Sequence, residues 1–77
     1  MDQIDTTETD LLEVERALLR IILKRGSQCL SRASLAIGYG ITALDEAKNR
    51  LLDKGLIREV TNQENRQWMF RSYEPNF

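Results

Sequence analysis

Histidine is absent from all 77 residues. Its absence removes the side chain that titrates near neutrality, the commonest metal ligand and the usual general base, which disfavours hydrolytic and zinc chemistry. Cysteine is almost as scarce. Cys29 stands alone, cannot close an internal disulfide, and sits in the apolar-leaning run Gln28-Cys29-Leu30, where it reads as a packing residue and not as an activated nucleophile. With no nucleophile and base to pair, no enzymatic activity, cofactor or metal is expected. Long apolar runs are missing as well: Leu18 to Leu23 is interrupted by Arg20 and falls far short of the ~20 residues a membrane span requires. There is no charged-then-apolar leader, so a reduced, cytoplasmic protein is expected. Gly38-Tyr39-Gly40 is too short to cradle a nucleotide phosphate and reads as a turn.

What is present is an ordinary globular balance, 42% hydrophobic and 30% charged, in a chain long enough for one small domain that buries roughly 60% of its unfolded surface. The formal charge of -1, taken alone, argues against a nucleic-acid binder. The total hides an asymmetry. Residues 1–15 hold six acids and no base, whereas residues 16–77 hold eleven bases and six acids. The body is basic and its leader is acidic.

Residues 1–7 are expected to be a flexible acidic arm, residues 8–73 the domain, and residues 74–77 a short tail. Thr7 with Asp10 fits a capping box for a first helix that ends at Lys24, Arg25 and Gly26. Its apolar positions cover more than half of its circumference, too many for one neighbour, so it is either central to the core or also part of a subunit interface. Gln28-Cys29-Leu30 suits a short extended piece, and Ser31 suits the N-cap of a second helix over 32–37. After the glycine turn, Thr42 and Asp45 form another capping box for a third helix that Gly55 closes. On a helical wheel Ile41, Leu44, Ala47, Lys48, Leu51 and Leu52 share one face, while Thr42, Glu46, Asn49, Arg50 and Asp53 point away. From Leu56 the pattern turns extended. Leu56–Val60 and Gln67–Tyr73, joined by the polar turn Asn62–Asn65, predict a two-stranded hairpin with an aromatic face against the helices, which Pro75 ends.

This order of elements, and above all the junction Leu51-Leu52-Asp53-Lys54-Gly55-Leu56-Ile57 together with Leu35-Ala36 and the Gly38 turn, resembles the winged helix-turn-helix domains of small regulators of the MarR, PadR and ArsR type. The resemblance spans about residues 9–73. It implies an α+β, mostly helical fold of three helices plus a C-terminal two-stranded β-hairpin wing. It also implies sequence-specific binding of double-stranded DNA, with the third helix in the major groove and the wing on the backbone.

Carried onto this sequence, the resemblance makes Thr42, Ala43, Glu46, Asn49 and Arg50 the base-contact candidates, Asn and Arg being suited to bidentate contacts with adenine and guanine. Arg32, Lys54, Asn65 and Arg66 are the phosphate candidates. Asp45 and Glu46, however, place acid in the first turn of the proposed recognition helix, and Arg66 is flanked by Glu64. Lys48, on the inner face, is expected to snorkel to water or meet an acid. A homodimer is expected, with Leu11, Leu12, Leu19, Tyr73 and Phe77 as interface candidates. The competing reading is a winged-helix protein-interaction module or adaptor that touches no nucleic acid, favoured by the acids on the helix face, the near-neutral charge and the cation-poor wing.

Overall fold

In the computed structural model, residues 11–76 are described. Helix α1 (Glu13–Arg25) leads through a two-residue strand β1 (Gln28–Cys29) into helix α2 (Leu30–Ile37). Helix α3 (Ile41–Asp53) follows, then strand β2 (Ile57–Glu59), a 3-10 turn (Trp68–Phe70) and strand β3 (Ser72–Pro75). The result is a small, mostly helical α+β domain of three helices and a three-stranded antiparallel sheet in the order β1-β3-β2. No helix among the described residues is long and apolar enough to cross a membrane.

One contiguous core joins every layer. Leu18, Ile21 and Ile22 of α1, Leu30 and Ala33 of α2, Leu44, Ala47 and Leu51 of α3, Ile57 of β2 and Tyr73 of β3 are all buried together. Helices α1 and α3 pack directly against each other, and α1 also covers β3. Deleting any of the larger of these side chains to Ala leaves a cavity that typically costs about 2–5 kcal/mol.

Two glycines set the helix boundaries. Gly38 adopts φ 80°, ψ 8°, and its N–H donates to the Ser34 carbonyl, so the left-handed backbone that an L side chain resists ends α2 and turns the chain into α3. The Ser34 hydroxyl, 2.6 Å from the Tyr39 carbonyl, ties the two sides of that turn together. Gly55, at φ 74°, ends α3 in a Schellman motif. The Gly55 N–H donates to the Leu52 carbonyl and the Leu56 N–H to the Leu51 carbonyl, so β2 starts at once beside the helix it leaves.

Several boundaries differ from the sequence-based expectation. The Thr7–Asp10 capping box lies outside the described residues; the described part of α1 starts at Glu13, where the Glu15 carboxylate accepts the Leu12 N–H at 3.3 Å. Helix α2 begins at Leu30, with Cys29 in the capping position. Ser31 is therefore inside the helix and not its cap, because burial of Leu30 draws the first turn directly onto the end of β1. Gly40, not Thr42, holds the N-cap position of α3, with no side chain bonding to the helix start. Asp45 instead accepts an ion pair from Lys48 at 3.0 Å, which is the acid expected for that inward-facing lysine.

The C-terminal region is corrected furthest. The expected two-stranded hairpin is a three-stranded sheet, since β1 pairs with β3 through Gln28–Tyr73 and Cys29–Ser72. Residues 68–70 form a 3-10 turn and not a strand, and although the turn packs against α2, Trp68 and Phe70 remain 48% and 45% exposed instead of forming a buried aromatic face. The cause lies in Gln63. Its buried side chain accepts the Ser72 N–H at 2.7 Å and donates to the carbonyls of Val60 and Ser72. Gln63 thus plugs the mouth of the loop and leaves residues 68–70 no neighbouring strand.

Pro75 is the last residue of β3, as expected, and pairs with Ile57, so the sheet reaches past Tyr73 and takes in the first two residues of the expected tail. Its missing N–H is tolerated because alternate residues of β3 face alternate neighbours. The Ser72 carbonyl and the Asn76 N–H bond toward β2, which turns the Pro75 nitrogen to the side where β1 has already stopped.

Candidate functional site

The outward face of α3 forms as the wheel predicts. Thr42, Glu46, Asn49, Arg50 and Asp53 are exposed, while Leu44, Ala47 and Leu51 are buried. Their spacing splits the base-contact candidates into two groups. Thr42, Glu46 and Asn49 fall in one stripe, which Asp53 extends, so the stripe carries two acids and no base. Ala43 and Arg50, seven residues apart, lie further round the helix toward α1.

Arg50 does not stand free for a base edge. Its Nε lies 3.5 Å from Glu15 Oε2, and Lys54 Nζ lies 3.1 Å from Glu15 Oε1. Glu15 is 1% exposed, so a buried carboxylate on α1 draws in two of the cations that the sequence offers to nucleic acid. Asn49 is also engaged: its Oδ1 accepts from Lys48 Nζ at 3.0 Å. A bidentate contact through Asn49 therefore requires its oxygen to be shared with that lysine.

The remaining phosphate candidates are placed differently. Arg32 is exposed near the start of α2, Asn65 and Arg66 are exposed in the β2–β3 loop, and neither arginine side chain has an ion pair among the described residues. Register brings these regions to one end of the molecule. Because Cys29 pairs with Ser72, the helix that follows Cys29 and the 3-10 turn that precedes Ser72 meet, and α2 packs against Trp68–Phe70. The loop itself is held by Gln63 and by Arg71, which donates to the Arg66 carbonyl at 3.2 Å and pairs with Glu59 at 2.9 Å. Asn62 takes a left-handed backbone within it, at φ 65°.

Among the dimer-interface candidates, Leu11 and Tyr73 are core residues, 5% and 4% exposed. They cannot meet a second copy without opening the domain, so both are corrected. Phe77 lies outside the described residues. Leu12 is 54% exposed and Leu19 half-buried, and the structure adds Leu23 at 49%. Burial raises the pKa of the Tyr73 phenol, with Lys48 opposing the shift; the lysine stands 5.6 Å from the ring centre. No group of three or more Cys, Asp or Glu suited to a metal ion occurs among the described residues.

The chain matches no protein-family model and no curated protein sequence.

Proposed function

We propose that this chain is a winged helix-turn-helix module that binds double-stranded DNA as a small transcriptional regulator. The observation that carries the reading is the placement of the start of α2 and the β2–β3 loop at one end of the fold, each with an exposed arginine that has no ion-pair partner among the described residues. Helix α3, turned out of α2 by Gly38, offers the polar stripe Thr42, Glu46 and Asn49 to the major groove. Arg32 and Arg66 hold the flanking phosphates, and the β2–β3 loop is the wing. Within this scheme Glu46 accepts from a cytosine amino group and Asn49 reads adenine. Arg50 and Lys54 are secondary, because Glu15 already holds them.

A DNA titration at several salt concentrations tests this. Each phosphate neutralised adds about 0.9 to the slope of log affinity against log salt, so Arg32→Ala and Arg66→Ala each lower the slope by about one unit. Arg50→Ala changes it little. Undetectable or salt-independent binding to both genomic fragments and random duplex rules the reading out.

The second reading is a protein-docking module, favoured by Glu46 and Asp53 on the exposed stripe and by the exposed side chains of Leu35, Trp68 and Phe70. It predicts no duplex binding at any salt concentration, together with a partner whose binding is lost in Trp68→Ala.

A further inference from the structure

We propose that Trp68 and Phe70 form a stacking site for unpaired bases, so that the module prefers duplex DNA that runs into a single-stranded segment. The inference rests on the DNA-binding reading above and names the form of DNA that the β2–β3 loop receives.

The two rings are exposed on a braced turn. Trp68 and Phe70, 48% and 45% exposed, stand two residues apart in the 3-10 turn, which the Phe70 N–H closes on the Gln67 carbonyl at 2.9 Å. Arg71 donates to the Arg66 carbonyl at 3.2 Å and pairs with Glu59, while Gln63 fixes the chain at Ser72 just beyond. Helix α2 packs against the turn. The turn adjoins the Ser72 end of β3. The described chain enters at the other end, where Glu15 holds the Leu12 N–H and Lys54 and where Ile57 pairs with Pro75.

The charge around the rings selects a phosphate-bearing partner. Arg66 lies two residues before Trp68, and Arg32 lies on the helix that packs against the turn; both are exposed, and neither has an ion pair among the described residues. Arg71 is already met by Glu59. Glu64 is the one acid in residues 30–37 and 61–71. Asn65 and Gln67, both exposed, add uncharged donors and acceptors of the kind that base edges bond.

An intact duplex leaves such rings without a partner. Each base face inside it is covered by its neighbours, so only edges and phosphates meet a protein. An unpaired base offers its whole π-face to an aromatic side chain while basic residues track the backbone. Each nucleotide brings one planar ring and one negative charge together, which matches the pairing of ring and guanidinium here. A peptide carries its acids and its apolar side chains on separate residues and fits the pairing less well.

The test titrates the full chain with three probes. One is a blunt duplex of roughly 12 base pairs, a little over one helical turn. The second adds a tail of about four unpaired thymidines. The third has abasic sugars in that tail, which keeps the phosphates and removes the rings. Trp68 is the only tryptophan, so its emission reports the site directly. The thymidine tail is expected to raise affinity at least ~10-fold over the abasic tail and to quench Trp68. Trp68→Leu, with the fold confirmed by circular dichroism, keeps an apolar side chain and loses that gain, whereas Trp68→Phe keeps most of it. Equal affinity for the two tails, unchanged Trp68 emission, or a gain that survives in Trp68→Leu overturns the proposal even where the blunt duplex binds. So does an indole shielded from acrylamide in the chain alone, since another segment or a second copy then covers the rings. Binding of the thymidine tail without binding of the blunt duplex upholds the stacking site and removes only the duplex reading. Absence of binding to all three probes removes both.

Discussion

Lys54 Nζ reaches Glu15 Oε1 at 3.1 Å, an ion pair that spans 39 residues of sequence and closes the end of α3 onto the start of α1. The same carboxylate takes Arg50 on its other oxygen and the Leu12 N–H on the first. Burying a carboxylate to 1% exposure is costly unless partners replace the water it has lost; here Oε1 accepts hydrogen bonds, while Oε2 has the Arg50 ion pair and no hydrogen bond. Glu15 is therefore the point at which the helical core tolerates a charge, and it restrains the orientation of the two cations nearest the outer face of α3.

Removing that carboxylate leaves Arg50 and Lys54 half-exposed, where water re-solvates them, so the loss is smaller than for a fully buried pair. Glu15→Gln is expected to lower stability by about 1–2 kcal/mol. In a double-mutant cycle with Lys54→Met, a coupling of about 1 kcal/mol should remain after both single effects are subtracted. Denaturant titrations measure both. Additivity within about 0.3 kcal/mol means that the short distance carries no energy.

The β2–β3 loop depends on one amide. Gln63 satisfies the Ser72 N–H and two carbonyls from a site only 8% exposed. Gln63→Leu keeps the volume but strands the Ser72 N–H and the Val60 carbonyl, each costing about 1–3 kcal/mol when left unpaired in the interior, while the Ser72 carbonyl still accepts the Val60 N–H. The loop opens to water in preference to paying that penalty. Hydrogen exchange at the Val60 and Ser72 amides should accelerate sharply while exchange in the α1–α3 core stays slow. Unchanged protection at Ser72 shows that the plug is dispensable.

How much of this was legible in the sequence depended on the range of the cause. Gly38 and Gly55 act on their own backbone, and both marked helix ends correctly. The apolar line Leu44, Ala47 and Leu51 repeats at helical spacing, so the buried and exposed faces of α3 followed directly. Trp68-Met69-Phe70 misled because alternation alone cannot show that Gln63, several residues earlier, takes the bonds a pairing strand needs. Glu15 read as a helix-dipole acid, since its partners come from 35 and 39 residues away. Leu11 and Tyr73 were apolar residues near the ends of the domain, the usual material of an interface, until the three-stranded sheet and α1 enclosed them.

Gly38→Ala isolates a backbone effect. Nothing lies within 4 Å of the position a Cβ would take there, so no clash accompanies the substitution and only the positive φ opposes it. The expected loss is about 1 kcal/mol, seen as a lower denaturant midpoint with an unchanged slope. A neutral or stabilising outcome places the α2–α3 turn in a different backbone conformation.

Alkaline pH offers a reading of the core through Tyr73. Burial holds its phenol pKa above the ordinary 10.0, with Lys48 working against the shift and Glu59 adding to it. A folded-state pKa raised above the unfolded one means that the folded chain keeps this proton longer. The stabilisation is fully present below about pH 10, the unfolded value, and is lost as pH rises through the folded value. The melting temperature should therefore fall more steeply above about pH 10 in the native chain than in Tyr73→Phe, which keeps the ring beneath Lys48 but has no proton to lose. In a Tyr39→Phe background the one remaining phenol is Tyr73, and its ultraviolet titration should come above the ordinary phenol range and move down into that range in denaturant. Coincident titration curves in the folded and unfolded states, or equal alkaline slopes for the native chain and Tyr73→Phe, remove the linkage and with it the claim that β3 seals this side chain against α1 and α3.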